Sequence, residues 1–321
     1  MRKFLVCDGG GTKTDFLVFN EIGETLAYCQ KGGANAKFLD EDIAMNNVIS
    51  GIDECLKISK TSLDEITKIK LFIPGFEACI NEVKSKLEVN DIECLSDIDN
   101  AFYGALGKAH GIVVLSGTGS FAVGVSKENK KVITGGWGPL VGDKGSGYHI
   151  GLMCLEHLAY FYDNEIKDSK MRELALNKFN ISNEFAMRDI IYSKTFNREQ
   201  VAEFCKVVSK SASEGDFYAL GILKEAAREL VKLVEAVNER LGNESLPVTL
   251  IGGVSKIGNL FIDILKEELT KNCSNLNYVN PKYNPLVGAM LYVLYNEIEV
   301  DVESNEINEN LKKYDEEYSL C

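Results

Sequence analysis

Two stretches of this chain share one form, and that form constrains the fold more than any other feature. The first is Cys7-Asp8-Gly9-Gly10-Gly11-Thr12-Lys13-Thr14-Asp15, set between the apolar runs Phe4–Cys7 and Phe16–Phe19. After a turn at Glu21–Glu24 a third run, Thr25–Cys29, follows. The pattern reads as strand, glycine turn, strand, turn, strand. A two-residue turn would close such a hairpin, so seven residues from Gly9 to Asp15 exceed what chain reversal needs. Three consecutive glycines let the backbone adopt positive φ and approach a ligand closely. Their N–H groups can then face an anion. Asp8 with the hydroxyls of Thr12 and Thr14 suits a magnesium-bound phosphate, because magnesium takes oxygen ligands and retains waters.

The second stretch runs from Gly111 to Val125, with the turn Ser116-Gly117-Thr118-Gly119-Ser120 between two apolar runs and Val132-Ile133-Thr134 beyond. It repeats the first with Ser116 in place of the acid. Self-similarity on this scale implies two related halves. Neither stretch is the Gly-x4-Gly-Lys-Ser/Thr loop or a Gly-x-Gly-x-x-Gly opening a helix. A glycine turn inside a hairpin resembles the actin, sugar-kinase and Hsp70 group of ATPases. Two such turns imply a triphosphate held in a cleft between two domains.

With 321 residues, 45% of them hydrophobic, the chain can fill two cores. Its net charge of −13 argues against nucleic acid as a partner, which would need a basic face. No stretch approaches the ~20 apolar residues of a membrane span, and no signal peptide follows Arg2-Lys3, so a cytoplasmic location is expected. Nine cysteines lack any Cys-x-x-Cys spacing and read as reduced thiols, and the three histidines form no zinc pattern. His149 reads as structural.

In chain order, Lys31–Asn35 reads as a loop and Asp40 as the cap of a helix. A strand at 69–73, a helix at 79–87 and a short strand at 92–95 follow, and the half reads as βββαβα with a further helix after Asp99. The second half is more helical, with helices expected at about 145–162, 198–213 and 217–241. A strand at 247–251 runs into Gly252-Gly253, which suits a flat nucleoside against bare backbone. A helix at 258–269 and an apolar helix at 285–295 follow, and the acidic stretch 297–317 reads as a surface helix. The expected domains are 1–107 and 108–297, with the tail 298–321 packing back on the first.

Asp97 and Asp99 follow the strand Ile92–Leu95, at the crevice where open α/β sheets take ligands. One can be a base and the other a helix cap. If the strand continued, both would point the same way. The glycine-framed Trp137, in Gly135-Gly136-Trp137-Gly138, can cover the apolar face of a sugar ring, with backbone amides such as that of Gly136 on its hydroxyls. Asp143 is either a hydroxyl acceptor or the cap of the next helix, and Trp137 has a plain reading as core.

Taken together, Asp8-Gly-Gly-Gly-Thr-Lys-Thr, Asp99-Asn-Ala, Leu115-Ser-Gly-Thr-Gly-Ser, Gly135-Gly-Trp-Gly-Pro-Leu-Val-Gly-Asp-Lys-Gly-Ser-Gly and Leu250-Ile-Gly-Gly-Val-Ser resemble the BadF/BadG/BcrA/BcrD ATPase family, and within it the N-acetylglucosamine kinases. The resemblance implies an α/β, actin-like (ribonuclease-H-like) two-domain fold. It implies ATP- and Mg2+-dependent phosphorylation of an amino sugar, N-acetylglucosamine first and N-acetylmuramic acid or glucosamine next, at O6. Carried over, Gly10, Gly11, Thr12 and Lys13, with Thr14, serve the phosphates and Asp8 the metal. Gly117, Thr118 and Gly119 form the second phosphate or sugar loop. Asp99 is the base, and Asn35, Trp137 and Asp143, with Ser116 and Gly136, are sugar contacts. Gly252 and Gly253 form the nucleoside site. Ala101-Phe102-Tyr103 is bulkier than the family pattern, which bears on pocket size. Two rival readings remain at this level: an ATP-driven activator of acyl-CoA reductases or dehydratases, whose cluster cysteines are missing here, and a non-catalytic nucleotide-binding regulator. A homodimer is one assembly the sequence leaves open.

Overall fold

A computed structural model describes residues 1–298 and 301–318. The chain forms two compact units, one of Met1–Ala109 with Pro281–Cys321, the other of His110–Asn280.

The first unit is built on strands β1 (Lys3–Gly9), β2 (Lys13–Asn20), β3 (Thr25–Gly32), β4 (Ile66–Phe72) and β5 (Ile92–Leu95), in the order β3-β2-β1-β4-β5. Helices α1 (Glu41–Ser59), α2 (Ile80–Leu87) and α3 (Asp97–Leu106) connect them. β1 and β2 are antiparallel, with Asp8 opposite Asp15 and Gly9 opposite Thr14. The apolar alternation of these strands fills both faces of the sheet. Leu5, Cys7, Phe16 and Val18 meet Ala44, Val48, Ile52 and Cys55 of α1. α1 comes this close because Gly51 has no side chain; a Cβ there would lie 2.3 Å from the Phe16 ring. Asp40 caps α1 as its sequence position predicts, its carboxylate accepting from the Asp42 amide.

The second unit repeats the arrangement. Strands β6 (Gly111–Ser116), β7 (Ser120–Val125), β8 (Lys131–Gly135), β9 (Pro247–Ile251) and β10 (Asn277–Tyr278) run in the order β10-β9-β6-β7-β8. Read from the other edge, that is the order of the first sheet, as two related halves require. Helices α4 (Gly147–Asp163), α5 (Lys170–Phe179), α6 (Met187–Ile191), α7 (Arg198–Ala202), α8 (Phe204–Ser213), α9 (Phe217–Arg240) and α10 (Asn259–Asn272) surround it. α5, α6 and the two-residue β10 carry no sequence signal used above. The helix expected across 198–213 is two helices, α7 and α8, that meet at Glu203.

From Pro281 the chain rejoins the first unit. Helix α11 (Pro285–Asn296), which the sequence assigns to the second domain, covers the free face of the first sheet. There Phe4, Val6, Leu17, Phe19 and Phe72 pack with Leu286, Val287, Met290 and Leu294. The cause is a backbone fit with α3: a Cβ on Gly288 would fall 1.8 Å from the Asn100 carbonyl oxygen, and one on Gly104 2.6 Å from that of Asn284. An apolar helix alone does not say which sheet it covers. The last helix, α12 (Asn305–Tyr318), is not simply a surface helix. Its Ile307, Leu311 and Tyr314 join the same apolar layer, each burial worth about 1.5–3 kcal/mol for side chains of this size. The acidic residues dominate this stretch in sequence and mask an apolar stripe at Ile307, Leu311 and Tyr314.

Candidate active site

In the first unit, β1 delivers Asp8 and the glycine turn closes with the Gly10 amide on the Lys13 carbonyl at 2.9 Å. None of Gly9, Gly10 or Gly11 uses the positive φ open to glycine. Their value is space. A Cβ on Gly9 would press on Ile73 at 2.8 Å, whereas Gly10 and Gly11 face open room, with nothing nearer than 3.8 Å and 3.9 Å. The next loop braces the turn, since the Ala34 and Asn35 amides both donate to the Gly10 carbonyl, at 3.0 Å and 3.2 Å. Gly33 makes that contact sterically feasible, because a Cβ there would stand 2.2 Å from the Gly11 carbonyl oxygen. Asn35 is buried, and its side-chain carbonyl accepts from the Lys37 amide at 3.0 Å.

Lys13 reaches Asp15 at 3.0 Å, and the same carboxylate accepts from Tyr28 at 2.8 Å and Gln30 at 2.7 Å. The Thr14 hydroxyl is buried with no hydrogen-bond partner among the described residues. Asp8 accepts from the side-chain amide of Asn100 at 2.7 Å. Burial, reinforced by the charges of Asp15 and Asp97, pushes the Asp8 carboxyl up to about 6, despite the opposing bond from Asn100.

β5 ends at Leu95 and α3 begins at Asp97, capped by Ser96, whose hydroxyl accepts from the Ile98 amide at 3.2 Å. Neither aspartate is the cap, and the strand does not continue through them. Two residues apart on a helix is a rotation of about 200°, so they face apart. Asp97 lies three residues before Asn100 and shares its face, toward Asp8. Asp99 lies four residues before Tyr103, and its charge acts on Tyr103 and Tyr292 of α11.

In the second unit, β6 ends at Ser116, whose buried hydroxyl donates to the Gly145 carbonyl at 3.0 Å. The turn closes with the Gly117 amide on the Gly119 carbonyl at 2.9 Å, and the Gly147 amide donates to the Gly117 carbonyl at 2.7 Å. Asp143 is buried, has φ of 53°, pairs with Arg198 and accepts from the Ser120 amide at 3.3 Å. It does not cap α4; Ser146 does, accepting from the His149 amide at 3.1 Å. Trp137 is 77% exposed, which removes the core reading, and Leu140 and Val141 are exposed beside it in sequence. Gly136 donates its amide to the Ser120 carbonyl at 2.9 Å. Gly252, with φ of 97°, lets β9 abut β6, since a Cβ there would lie 2.5 Å from the Ser116 carbonyl oxygen. Gly253 opens on free space. His149 accepts from the Gly145 amide through Nδ1 at 3.1 Å, and burial holds its pKa below the usual value, which agrees with a structural role.

Sequence reasoning passed over Asn100, Asp15, Gly33 and Arg198. Asn100 and Asp15 stand inside the quoted motifs and Gly33 in the loop that follows. Arg198 had only a weak signal, the capping box of Asn197 and Gln200 around it.

Two mixed five-stranded sheets of one strand order, each with a glycine turn at the end of its middle strand, define an actin-like ATPase fold. Residues 7–293 match the family model described as the BadF/BadG/BcrA/BcrD ATPase family, and the chain belongs to that family. Among characterised relatives, the N-acetylmuramic acid/N-acetylglucosamine kinase of Clostridium acetobutylicum is 29% identical over 301 residues, covering 91% of this chain and 98% of its own. The N-acetyl-D-glucosamine kinase of Dictyostelium discoideum is 29% identical over 314 residues, covering 91% and 97%. Among solved structures, a provisionally named N-acetylglucosamine kinase from Chromobacterium violaceum superposes with a TM-score of 0.65 at 21% identity, covering 91% and 99%. A ROK family glucokinase from Streptomyces griseus, solved with glucose and AMPPNP, gives 0.52 at 13% identity, covering 90% and 97%.

Proposed function

We propose that the protein is an ATP-dependent amino-sugar kinase that phosphorylates N-acetylglucosamine, with N-acetylmuramic acid or glucosamine as the next candidates, at the O6 hydroxyl. The observation that carries this reading is the cluster at the end of β1: Asp8 held by Asn100, Asp97 on the same helix face, and a glycine turn with open room beside it. A phosphoryl-transfer site needs little more from a protein than positioned charge and a group to orient the acceptor hydroxyl.

The residues present fit magnesium. The donors are oxygens, Asp8 is a buried carboxylate with an unfavourable charge environment, and the Thr14 hydroxyl has no partner among the described residues. Magnesium is commonly held by one or two carboxylates plus substrate phosphates, with waters completing the shell. When bound it would neutralise charge on the ATP phosphates. Asp8 would hold it, directly or through water, and the Gly10–Lys13 turn would take the phosphates.

A base is required to accept the proton of the acceptor hydroxyl. The resemblance assigned it to Asp99; the helix geometry favours Asp97, which lies on the Asn100 side of α3, while Asp99 lies on the Tyr103 side. In the first unit, Asn35 would offer its amide to a sugar; in the second, taken by itself, Asp143 would offer its carboxylate and Trp137 its exposed indole. Gly117–Gly119 would serve as the second phosphate or sugar turn, and Gly252-Gly253 as the nucleoside seat.

The test is a coupled ADP-release assay across hexoses and amino sugars, with NMR to locate the new phosphate ester. ATP- and magnesium-dependent turnover of an N-acetylhexosamine at O6 is expected. Hydrolysis of ATP that no sugar stimulates would overturn the reading.

A further inference from the structure

In the second unit, Arg198 is the first residue of α7, a five-residue helix whose start is fixed by the reciprocal Asn197–Gln200 capping box. α7 comes close to α4 because Gly151 has no side chain: a Cβ there would fall 1.9 Å from the Val201 carbonyl oxygen. This close backbone approach determines where the Arg198 side chain starts. The guanidinium then lies over the Tyr148 ring at 5.5 Å, donates to the Thr118 carbonyl at 3.1 Å and pairs with the Asp143 carboxylate. Its Nε is buried with no hydrogen-bond partner among the described residues. Gly119 completes the fit, since a Cβ there would meet Asp143 at 2.9 Å and Arg198 at 3.2 Å.

Arg198 therefore adds one bond to each of two loops that already touch, the second glycine turn and the Asp143 loop, from a position 55 residues beyond Asp143. Asp143 sits in a left-handed backbone conformation, which aspartate tolerates better than most residues, and its carboxylate has partners that hold it there. The Ser120 amide and the arginine do so from two sides. A carboxylate has about four acceptor positions, so both bonds leave room for sugar hydroxyls.

We infer that Arg198 is the positioning residue for Asp143: it fixes the carboxylate that recognises the sugar and braces the Thr118 turn while doing so. The inference rests on the proposed sugar-kinase function. Removing the guanidinium leaves Asp143 free to turn away, so the loss falls on sugar binding. A lysine at 198 keeps the charge but lacks the fork needed to bond Thr118 and Asp143 together.

The experiment is calorimetric titration of N-acetylglucosamine and of ATP, with steady-state kinetics, on wild type, Arg198→Met, Arg198→Lys, Asp143→Asn and the Arg198→Met/Asp143→Asn double variant. Arg198→Met should weaken sugar binding roughly 10–100-fold, the usual consequence of losing a hydrogen bond to a charged group, and change ATP binding far less. Arg198→Lys should recover part of the loss. On the Asp143→Asn background, Arg198→Met should add only a small further loss, because a residue acting through another is not additive with it. Unchanged sugar affinity in a folded Arg198→Met, additive losses in the double variant, or equal losses for sugar and ATP would overturn the inference. If Arg198→Met does not fold, Arg198→Lys decides: sugar affinity equal to wild type refutes the role. Wild-type protein that phosphorylates no sugar removes the proposed function and this inference with it. Wild-type turnover with indifferent Arg198 variants removes the inference alone.

Discussion

Asn100 donates its side-chain amide to Oδ1 of Asp8 at 2.7 Å, and this bond ties the first turn of α3 to the end of β1. It also fixes which face of α3 looks toward the glycine turn. Asp97 shares that face and Asp99 does not. If the base acts beside the metal carboxylate, Asp97→Asn should lower kcat by roughly 10²–10⁴-fold, the common range for acid–base groups, with little change in ATP affinity. Asp99→Asn should cost much less, through its contacts with the tyrosine side of the helix. Steady-state kinetics on the two variants separates them, and the reverse order of effects would restore the role to Asp99.

Asp8 should make the ligand-free chain less stable at neutral pH. Its carboxyl is raised to about 6 in the folded chain, against an ordinary value near 4 when unfolded, chiefly by burial. Between those values the folded state holds more protons than the unfolded one, so stability falls as pH rises through the window and the full penalty applies above 6. The penalty is at most about 3 kcal/mol, from about two units at 1.36 kcal/mol each. Asp8→Asn should therefore unfold at higher temperature than wild type at pH 7.5, lose that advantage near pH 4, and lose turnover. Thermal melts across pH without nucleotide measure this, and a variant less stable than wild type at pH 7.5 would show that the carboxylate is well accommodated.

Gly33→Ala tests the brace under the first turn. A methyl group cannot stand 2.2 Å from the Gly11 carbonyl oxygen, so the turn or the loop must shift. Overpacking of this kind costs about 1–3 kcal/mol. The expected result is a lower melting temperature and a raised KM for ATP, because Gly10 and Gly11 move with the clash. A normal KM in a destabilised variant would mean that the turn holds its shape without the brace.

Strand signals, the two glycine turns and the cap at Asp40 were legible in the sequence because they depend on neighbours within a few residues. That Asp8 stands beside the first turn was legible for the same reason, since the two are contiguous, whereas the Asn100 that bonds it lies 92 residues away. What escaped depends on contacts across the chain. Gly288 and Gly104 decide that α11 serves the first sheet, yet each looks like an unremarkable helical glycine until α3 and α11 meet. Asp97 and Asp99 were interchangeable until one knew that a helix begins at Asp97, and a one-element error in that boundary reverses which face each occupies. Arg198 lies 55 residues from Asp143, and no periodicity connects them.

The sugar preference follows from Asn35 and Trp137, each taken in its own unit. Asn35 is buried and spends its side-chain carbonyl on the Lys37 amide, so the amide end is the part it can offer a ligand. An acetamido carbonyl accepts such a donor; the C2 hydroxyl of glucose is shorter and does not reach as far. Buried polar groups that a wrong substrate leaves unpaired are costly, which makes this kind of contact selective. Trp137, being 77% exposed, has its ring available to cover the apolar face of a pyranose. N-acetylglucosamine should therefore exceed glucose in kcat/KM by roughly tenfold or more. Asn35→Ala should erase much of that ratio, while Trp137→Ala should raise KM for both sugars alike. The coupled assay with the two sugars on the three proteins measures it. Equal turnover of glucose and N-acetylglucosamine by wild type, or an Asn35→Ala variant that keeps the full ratio, would place recognition of the acetamido group elsewhere.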